Sequence, residues 1–514
     1  MPHPTYPRPP EPLVAQNTFR GRAYDGRPIP SFAEARNLLP VPVLPDRPEW
    51  TEMYWRAWEV AWSNLRRPKA ASGFVANFID PAFNDHTFLW DTCLMTRFGV
   101  YGRRAFDFMG SLDNFYAKQH NDGFICREIN TQEGYDFFYP FDPNATGPNI
   151  LAWTEWRYYR VTGDDGRLAA VFWPLLAYHR WCRANRTWPN GLYWATGLSS
   201  GMDNQSRVPD SAHHHRHWTW VDANGQAALD CLALQKIAEY VGAREFVPEL
   251  SQERGHLRHE VNARLWSSEK EFYLDVDPNG RHSPVKSIGA YWALLDPELI
   301  PADRLPGFLR HLRDVNSFKR PHRVPSQAAD DEGYDCETGG YWRGGVWSPT
   351  NFMLLKGLRV QGQHALAYEI ALNHLENVAA VYQRTDTFWE NYAPESAAAG
   401  QPARPDFVGW TGLTPIAILL EDVIGLRIDW PQRQVTWDRR LVAPGGYGVS
   451  RYPLGSDGLL DLFGDAQQIV IATNVPFNLL VYDGDLTIRK AISAGETVLA
   501  IGALPDRTGN PAGL

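Results

Sequence analysis

From residue 49 onward, apolar positions recur at helical spacing. In EWTEMYWRAWEVAWSNL, Tyr54, Trp55, Trp58 and Trp62 fall three and four residues apart, which predicts an amphipathic helix with an aromatic core face. Similar patterns return in FLWDTCLMTRFGVYG, RRAFDFMGSLDNFYAKQ, ILAWTEWRYYRVTG, LAAVFWPLLAYHRWCRAN, GQAALDCLALQKIAEYVG and ERGHLRHEVNARLWSS. Later ones are DRLPGFLRHLRDV, SPTNFMLLKGLRVQG, ALAYEIALNHLENVAAVYQR and GLTPIAILLEDVIGL. Several stop at Gly, as helix C-termini do. About a dozen helices joined by long polar loops fit a ring of helical hairpins, six inside and six outside, with a cleft among the loops at one end. No exact sequence repeat is visible, so a regular solenoid is not expected.

Two segments break the pattern. Residues 1–48 are Pro-rich and weakly periodic, and read as an extended N-terminal arm. After residue 425, LRIDW, RQVTWDRRL, GYGVSRYPL, QQIVIATN and FNLLVYDG alternate between turn signals. The expected organisation is mainly α: a helical body over 49–425 and a small β-sandwich-like appendage over 426–514.

Composition narrows the function. Net charge is −9 and no long basic run occurs, so a nucleic-acid partner is not expected. No run approaches the ~18 apolar residues that span a bilayer, and MPHPTYPRPPEPLVAQNTF has no secretory pattern. Five cysteines lie scattered without metal-finger or CxxC spacing, which fits reduced thiols in a cytoplasm. The 21 Trp, 22 Tyr and 24 Phe exceed what a typical core needs. Tryptophan couples a large apolar face to a polar handle, and sugar rings present C–H faces to such surfaces. A small-molecule carbohydrate is therefore the expected partner.

Four aromatic, Gly- or Pro-containing loops hold acidic or basic residues: Phe88-Leu-Trp90-Asp91, the SGMDNQSR stretch with Asp203 and Asn204, the GYWRGGVW stretch over 340–347, and FWENYAPE with Trp389, Glu390, Tyr392 and Glu395, followed by Trp410. Glycines admit close backbone approach, and carboxyls among tryptophans have raised pKa values. Glycosidic hydrolysis needs two carboxyl groups, one to protonate the leaving oxygen and one to activate water or attack directly.

These stretches, in this order over about residues 50–425, resemble glycoside hydrolase family 63, especially its short bacterial members similar to mannosylglycerate and glucosylglycerate hydrolases. Family 37 trehalases are more distantly similar. The resemblance implies an (α/α)6 barrel, an inverting mechanism and no metal or other cofactor. It implies Asp203 as general acid and Glu390 as general base, with Trp90 and Asp91 lining the subsite of the cleaved sugar. Tyr341, Trp342, Arg343, Gly344 and Trp347 match its GYWRGxxW stretch, although Gly345-Val346 replaces the usual Pro-Ile. Phe88, Asn204, Trp389, Tyr392 and Trp410 are further substrate-contact candidates. Gln132 and Glu133 in INTQEGYDFFYP are candidates for the second sugar or aglycone.

Local alternatives remain at several positions. Asp203-Asn204 also suits a turn or helix cap. Glu395 competes with Glu390 for the base. Asp91 and Arg343 also suit ion pairs. The run His213, His214, His215, Arg216, His217 suggests a metal only superficially, since adjacent histidines seldom converge on one ion. Arg207 and Trp218 lie near this loop and are expected to shape the cleft. The rival functions are a non-catalytic carbohydrate-binding protein, or a sugar epimerase or lyase on the same barrel. In an inverting enzyme the two carboxyls stand roughly 6.5–9.5 Å apart. An α-glucosidic or α-mannosidic bond in a small disaccharide, oligosaccharide or glycosyl conjugate is the expected substrate.

Overall fold

A computed structural model describes residues 9–81, 84–207 and 217–501. The first periodic segment forms the helix Pro48–Ser63, with Pro48 in its first turn, where the missing N–H has no intrahelical partner to lose. Trp58 is fully buried and meets Phe98 and Phe108 edge to face.

The helices are of two kinds. Leu89–Gly99 and Thr414–Val423, the latter π-wound, are buried at every residue, and Ser348–Val360 is buried through Leu358. A helix with no polar face must be enclosed by protein. Pro48–Ser63, Val247–Arg264 and His364–Thr385 instead keep one wet face. Leu89–Gly99 packs on Leu151–Thr162, which packs on Val221–Val241, then Ile288–Leu295, Ser348–Val360 and Trp410–Val423, which returns to Leu89–Gly99. Asp165–Asn185, Val247–Arg264 and His364–Thr385 each pack beside a member of this series.

Ile288–Leu295 lies outside the periodic patterns of the sequence. IGAYWALL forms a 3-10 helix with all eight residues buried. A short apolar run has no polar positions to reveal a period.

The later strands form two sheets. Leu426–Asp429, Gln434–Asp438, Phe477–Asp483 and Leu486–Ile492 make one. Tyr447–Leu454, Gly458–Gly464, Gln468–Thr473 and Gly495–Ala500 make the other, and Val41–Val43 adds to its edge with Val41 opposite Ser450. The N-terminal segment is thus stitched to the C-terminal sheet through a three-residue strand that its prolines concealed. Buried ion pairs join helices to strands: Arg359 Nε lies 2.7 Å from Asp422 and its Nη1 3.5 Å from Asp438.

Candidate active site

The strand His86–Phe88 runs directly into the helix Leu89–Gly99. This junction places Phe88, Trp90 and Asp91 at the start of a helix buried at every residue, and all three line a cavity of about 390 Å³. A carboxylate in a first helical turn is favoured by the helix dipole. Burial nevertheless pushes the Asp91 carboxyl well up, Arg127 opposes this, and Glu390 and Asp203 add repulsion.

Asp203 follows the short helix Gly197–Ser200. Thr196 caps it through a 3.1 Å bond from the Ser199 N–H, and Gly201 ends it at φ 74°. A side chain at Gly201 would meet Trp90 at 2.7 Å, so glycine is what lets the Asp203 loop lie on that ring. Asn204 then clamps the next loop: its Oδ1 accepts from the Trp342 N–H at 2.9 Å, and its Nδ2 donates to Gly340 O at 2.9 Å.

Tyr341 has φ 68°, a left-handed conformation that costs a non-glycine residue roughly 1–2 kcal/mol. Its hydroxyl donates to Glu390 Oε1 at 3.1 Å, and its carbonyl accepts from Trp347 Nε1 at 3.1 Å. Glu390 is 5% exposed. Its N–H donates to Arg404 O at 2.9 Å, and its carbonyl accepts from Trp410 Nε1 at 3.1 Å. Burial raises its carboxyl pKa, the Tyr341 bond and Arg404 oppose the rise, and Asp203 adds to it.

Seven of the expected residues thus meet around one cavity: Phe88, Trp90, Asp91, Asp203, Tyr341, Glu390 and Trp410. Others stand behind it. Trp342 and Trp347 are fully buried and stacked at 3.7 Å, with Trp342 against Trp90 and Trp347 against Trp410. Gly344, at φ 140°, donates its N–H to Ser326 Oγ. Tyr392 exchanges two backbone hydrogen bonds with Val346, tying the third loop to the fourth. Trp389 Nε1 donates to Thr385. Arg343 is exposed and donates to Gly333 O at 3.0 Å. Gln132 donates to Asp85, and the Glu133 N–H donates to Asn130. None of these lines the cavity.

Glu395 is engaged elsewhere. Arg320 grips it with two bonds of 2.7 and 2.8 Å, and Tyr334 adds a third of 2.7 Å. Burial pushes its carboxyl up, but these donors hold it below the ordinary value. His213, His214, His215 and Arg216 lie outside the described residues. His217 rests edge-on against Trp194 at 4.6 Å.

Arg127, Pro402, Ala403 and Arg404 also line the cavity and were not expected. Arg404 lies in GQPARPDF, between the ENY and GWTG stretches, so its position between two site segments was the available signal. Arg127, in FICREIN, carried no comparable mark. Among the described residues, a second titratable cluster sets His179 between Asp230 at 2.8 Å and Glu253 at 3.1 Å, beside Cys231. Burial alone would lower the His179 pKa, yet its partners hold it well above the ordinary value.

Residues 111–411 match the family model described as the mannosylglycerate hydrolase MGH1-like glycoside hydrolase domain. A probable mannosyl-oligosaccharide glucosidase of Schizosaccharomyces pombe is 28% identical over 283 residues, 52% of this chain and 33% of the relative. The mannosylglycerate hydrolase of Rubrobacter radiotolerans is 27% identical over 197 residues, 38% of this chain and 42% of that one. The family 63 mannosylglycerate hydrolase of Thermus thermophilus, solved with glucose, superposes with a TM-score of 0.58 at 20% identity, covering 71% of this chain and 99% of that one. The chain belongs to this MGH1-like group within glycoside hydrolase family 63 and is a glycosidase.

Proposed function

We propose that the chain hydrolyses an α-glucosidic or α-mannosidic bond with inversion, with Asp203 as general acid and Glu390 as general base. The observation that carries this reading is that Asp203 and Glu390, on loops far apart in sequence, line one aromatic cavity while Glu395 is held outside it by Arg320. Protonated Asp203 donates to the glycosidic oxygen. Ionised Glu390 takes a proton from water on the opposite face of the sugar, and the water oxygen displaces the leaving group in one step. Tyr341 holds Glu390 Oε1 and leaves Oε2 for the water. Asp91, at the same wall as Trp90, hydrogen-bonds hydroxyls of the cleaved sugar.

The series of inner helices supports an (α/α)6 barrel over residues 49–425, with 1–48 as an arm and 426–514 as an appended β domain. The names of the relatives and the glucose complex support a glucosyl or mannosyl unit in the cleaved subsite. The five unpaired cysteines support a reducing compartment.

The test is a panel of α-linked glucosides, mannosides and glycosyl-glycerates, with the first anomer released read by NMR. The expected product is the β-sugar; a retained α-anomer rejects inversion, and no hydrolysis anywhere rejects the reading. Two variants refine it. Glu395→Gln is expected to keep kcat within about tenfold of wild type, because it acts through positioning rather than proton transfer. Tyr341→Phe removes the hydroxyl that stabilises ionised Glu390, so the Glu390 pKa rises further and the acidic limb of the kcat profile moves to higher pH. An unmoved limb argues against Glu390 as the titrating base.

A further inference from the structure

The ribbon that carries Phe88 into the cavity continues outward. His86–Phe88 pairs antiparallel with Glu128–Asn130, Phe88 facing Glu128 and His86 facing Asn130. The chain then turns and pairs again: Phe137 N–H donates to Glu128 O at 3.0 Å, Asn130 N–H donates to Tyr135 O at 2.9 Å, and Ile129 bridges Asp136. Side chains opposite one another share a face. Phe88, Glu128 and Phe137 therefore form one cross-strand row, and His86, Asn130 and Tyr135 the next. Ring contacts agree, with His86 at 4.8 Å from Phe137 and 6.4 Å from Tyr135, and His86 Nδ1 at 2.7 Å from Glu128.

The outer end of this face is open to solvent. Tyr135, Phe137 and Phe141 are 45%, 50% and 52% exposed, and Phe141 stacks on Tyr139 at 5.3 Å. The other exposed Tyr and Phe side chains among the described residues, Tyr24, Tyr240 and Tyr482, are scattered along the chain. Three such rings within seven residues mark a binding surface. Phe137 stands two strand spacings, about 10 Å, from Phe88. That places it past the wall of the catalytic cavity.

We propose that the Tyr135–Phe141 face is a binding platform for the leaving-group side of an oligosaccharide, taking sugar units beyond the first one after the scissile bond. This rests on the reading of the Asp203–Glu390 cavity as the hydrolytic site. Continuity with Phe88 selects this occupant, since whatever follows the scissile bond out of the cavity along the ribbon arrives here. Flat rings beside the His86 imidazole suit a ligand with C–H faces and hydroxyl edges.

The experiment compares wild type with Tyr135→Ala/Phe137→Ala and with Phe141→Ala, on α-linked gluco- and manno-oligosaccharides of two to five units. Wild-type kcat/KM is expected to rise with length beyond two. In the double variant kcat/KM for the longer members falls about tenfold, the size expected for lost ring contacts. The loss appears in KM, with kcat and disaccharide turnover unchanged, whereas Phe137→Trp alone keeps the preference. Disaccharide hydrolysis without a gain from length, or a gain that survives in the double variant, overturns the platform alone. No hydrolysis of any member by folded wild type that still cleaves a glycosyl-glycerate overturns the platform alone, and no hydrolysis of glycosyl-glycerates either overturns the proposed function as well.

Discussion

Glu390→Gln lowers kcat by about 10³-fold, within the 10²–10⁴ range for loss of a positioned acid–base group, while sugar binding survives. The substitution is nearly isosteric. Its Oε1 can still accept from Tyr341, and the backbone anchors to Arg404 and Trp410 do not involve the side chain. What disappears is the ability to take a proton from water. Asp203→Asn produces a loss of similar size with a different signature. A substrate with a good leaving group, such as a glycosyl fluoride, needs no protonation of the departing atom, so Asp203→Asn recovers on it and Glu390→Gln does not. Titration calorimetry with the released sugar checks that both variants still bind. Reversal of the rescue would exchange the two roles, and a Glu390→Gln enzyme within tenfold of wild type would remove Glu390 from the chemistry.

The candidate residues that gather at one cavity were legible in the sequence where chemistry and punctuation coincide. Asp203, Glu390, Trp90 and Asp91 sit in short aromatic loops bounded by helical patterns, and the fold brings those loops to one cavity. Layering was not legible. Trp342 and Trp347 look like Tyr341 in sequence, yet they form a second row behind Trp90 and Trp410. Tyr341, whose φ is positive, is the ring that reaches Glu390, and a single sequence does not display a backbone angle. Asn204 reads in the sequence as a sugar contact because polar residues in a cleft suggest hydroxyl recognition. Its amide is matched to the donor at Trp342 and the acceptor at Gly340, a structural bond that the sequence does not display. Arg127 and Arg404 escape notice because arginine is common on solvated faces. Their significance comes from lining the same cavity as three carboxyls. The fold shows the same contrast: amphipathic helices announce themselves by period, whereas the uniformly apolar Ile288–Leu295 does not.

Arg207→Met destabilises the protein by about 3–5 kcal/mol, the range for removing one partner from a buried ion cluster. Arg207 is fully buried four residues after Asp203. Its Nη2 lies 2.6 Å from Asp222, its Nη1 3.3 Å from Asp275, and its guanidinium 3.8 Å above the Trp220 ring. Burial already raises the Asp275 carboxyl to about 6, with Arg207 opposing the rise and Asp222 adding to it. Without the arginine, two buried carboxylates repel each other, and the folded-state pKa of Asp275 climbs further above its unfolded value. The folded protein then holds more protons than the unfolded chain across that interval, so stability falls as pH rises through it. The deficit in Tm is therefore expected to be largest near pH 8 and to shrink towards pH 5. Adding Asp222→Asn and Asp275→Asn is expected to recover most of the loss by removing the uncompensated charge. Because Arg207 O also accepts from Ser283 Oγ at 2.6 Å, the backbone of the Asp203 loop stays tethered. A triple variant with restored Tm and near-normal kcat would show that the cluster acts on stability through charge balance. A restored Tm with kcat still depressed would instead show that the guanidinium itself sets the position of Asp203.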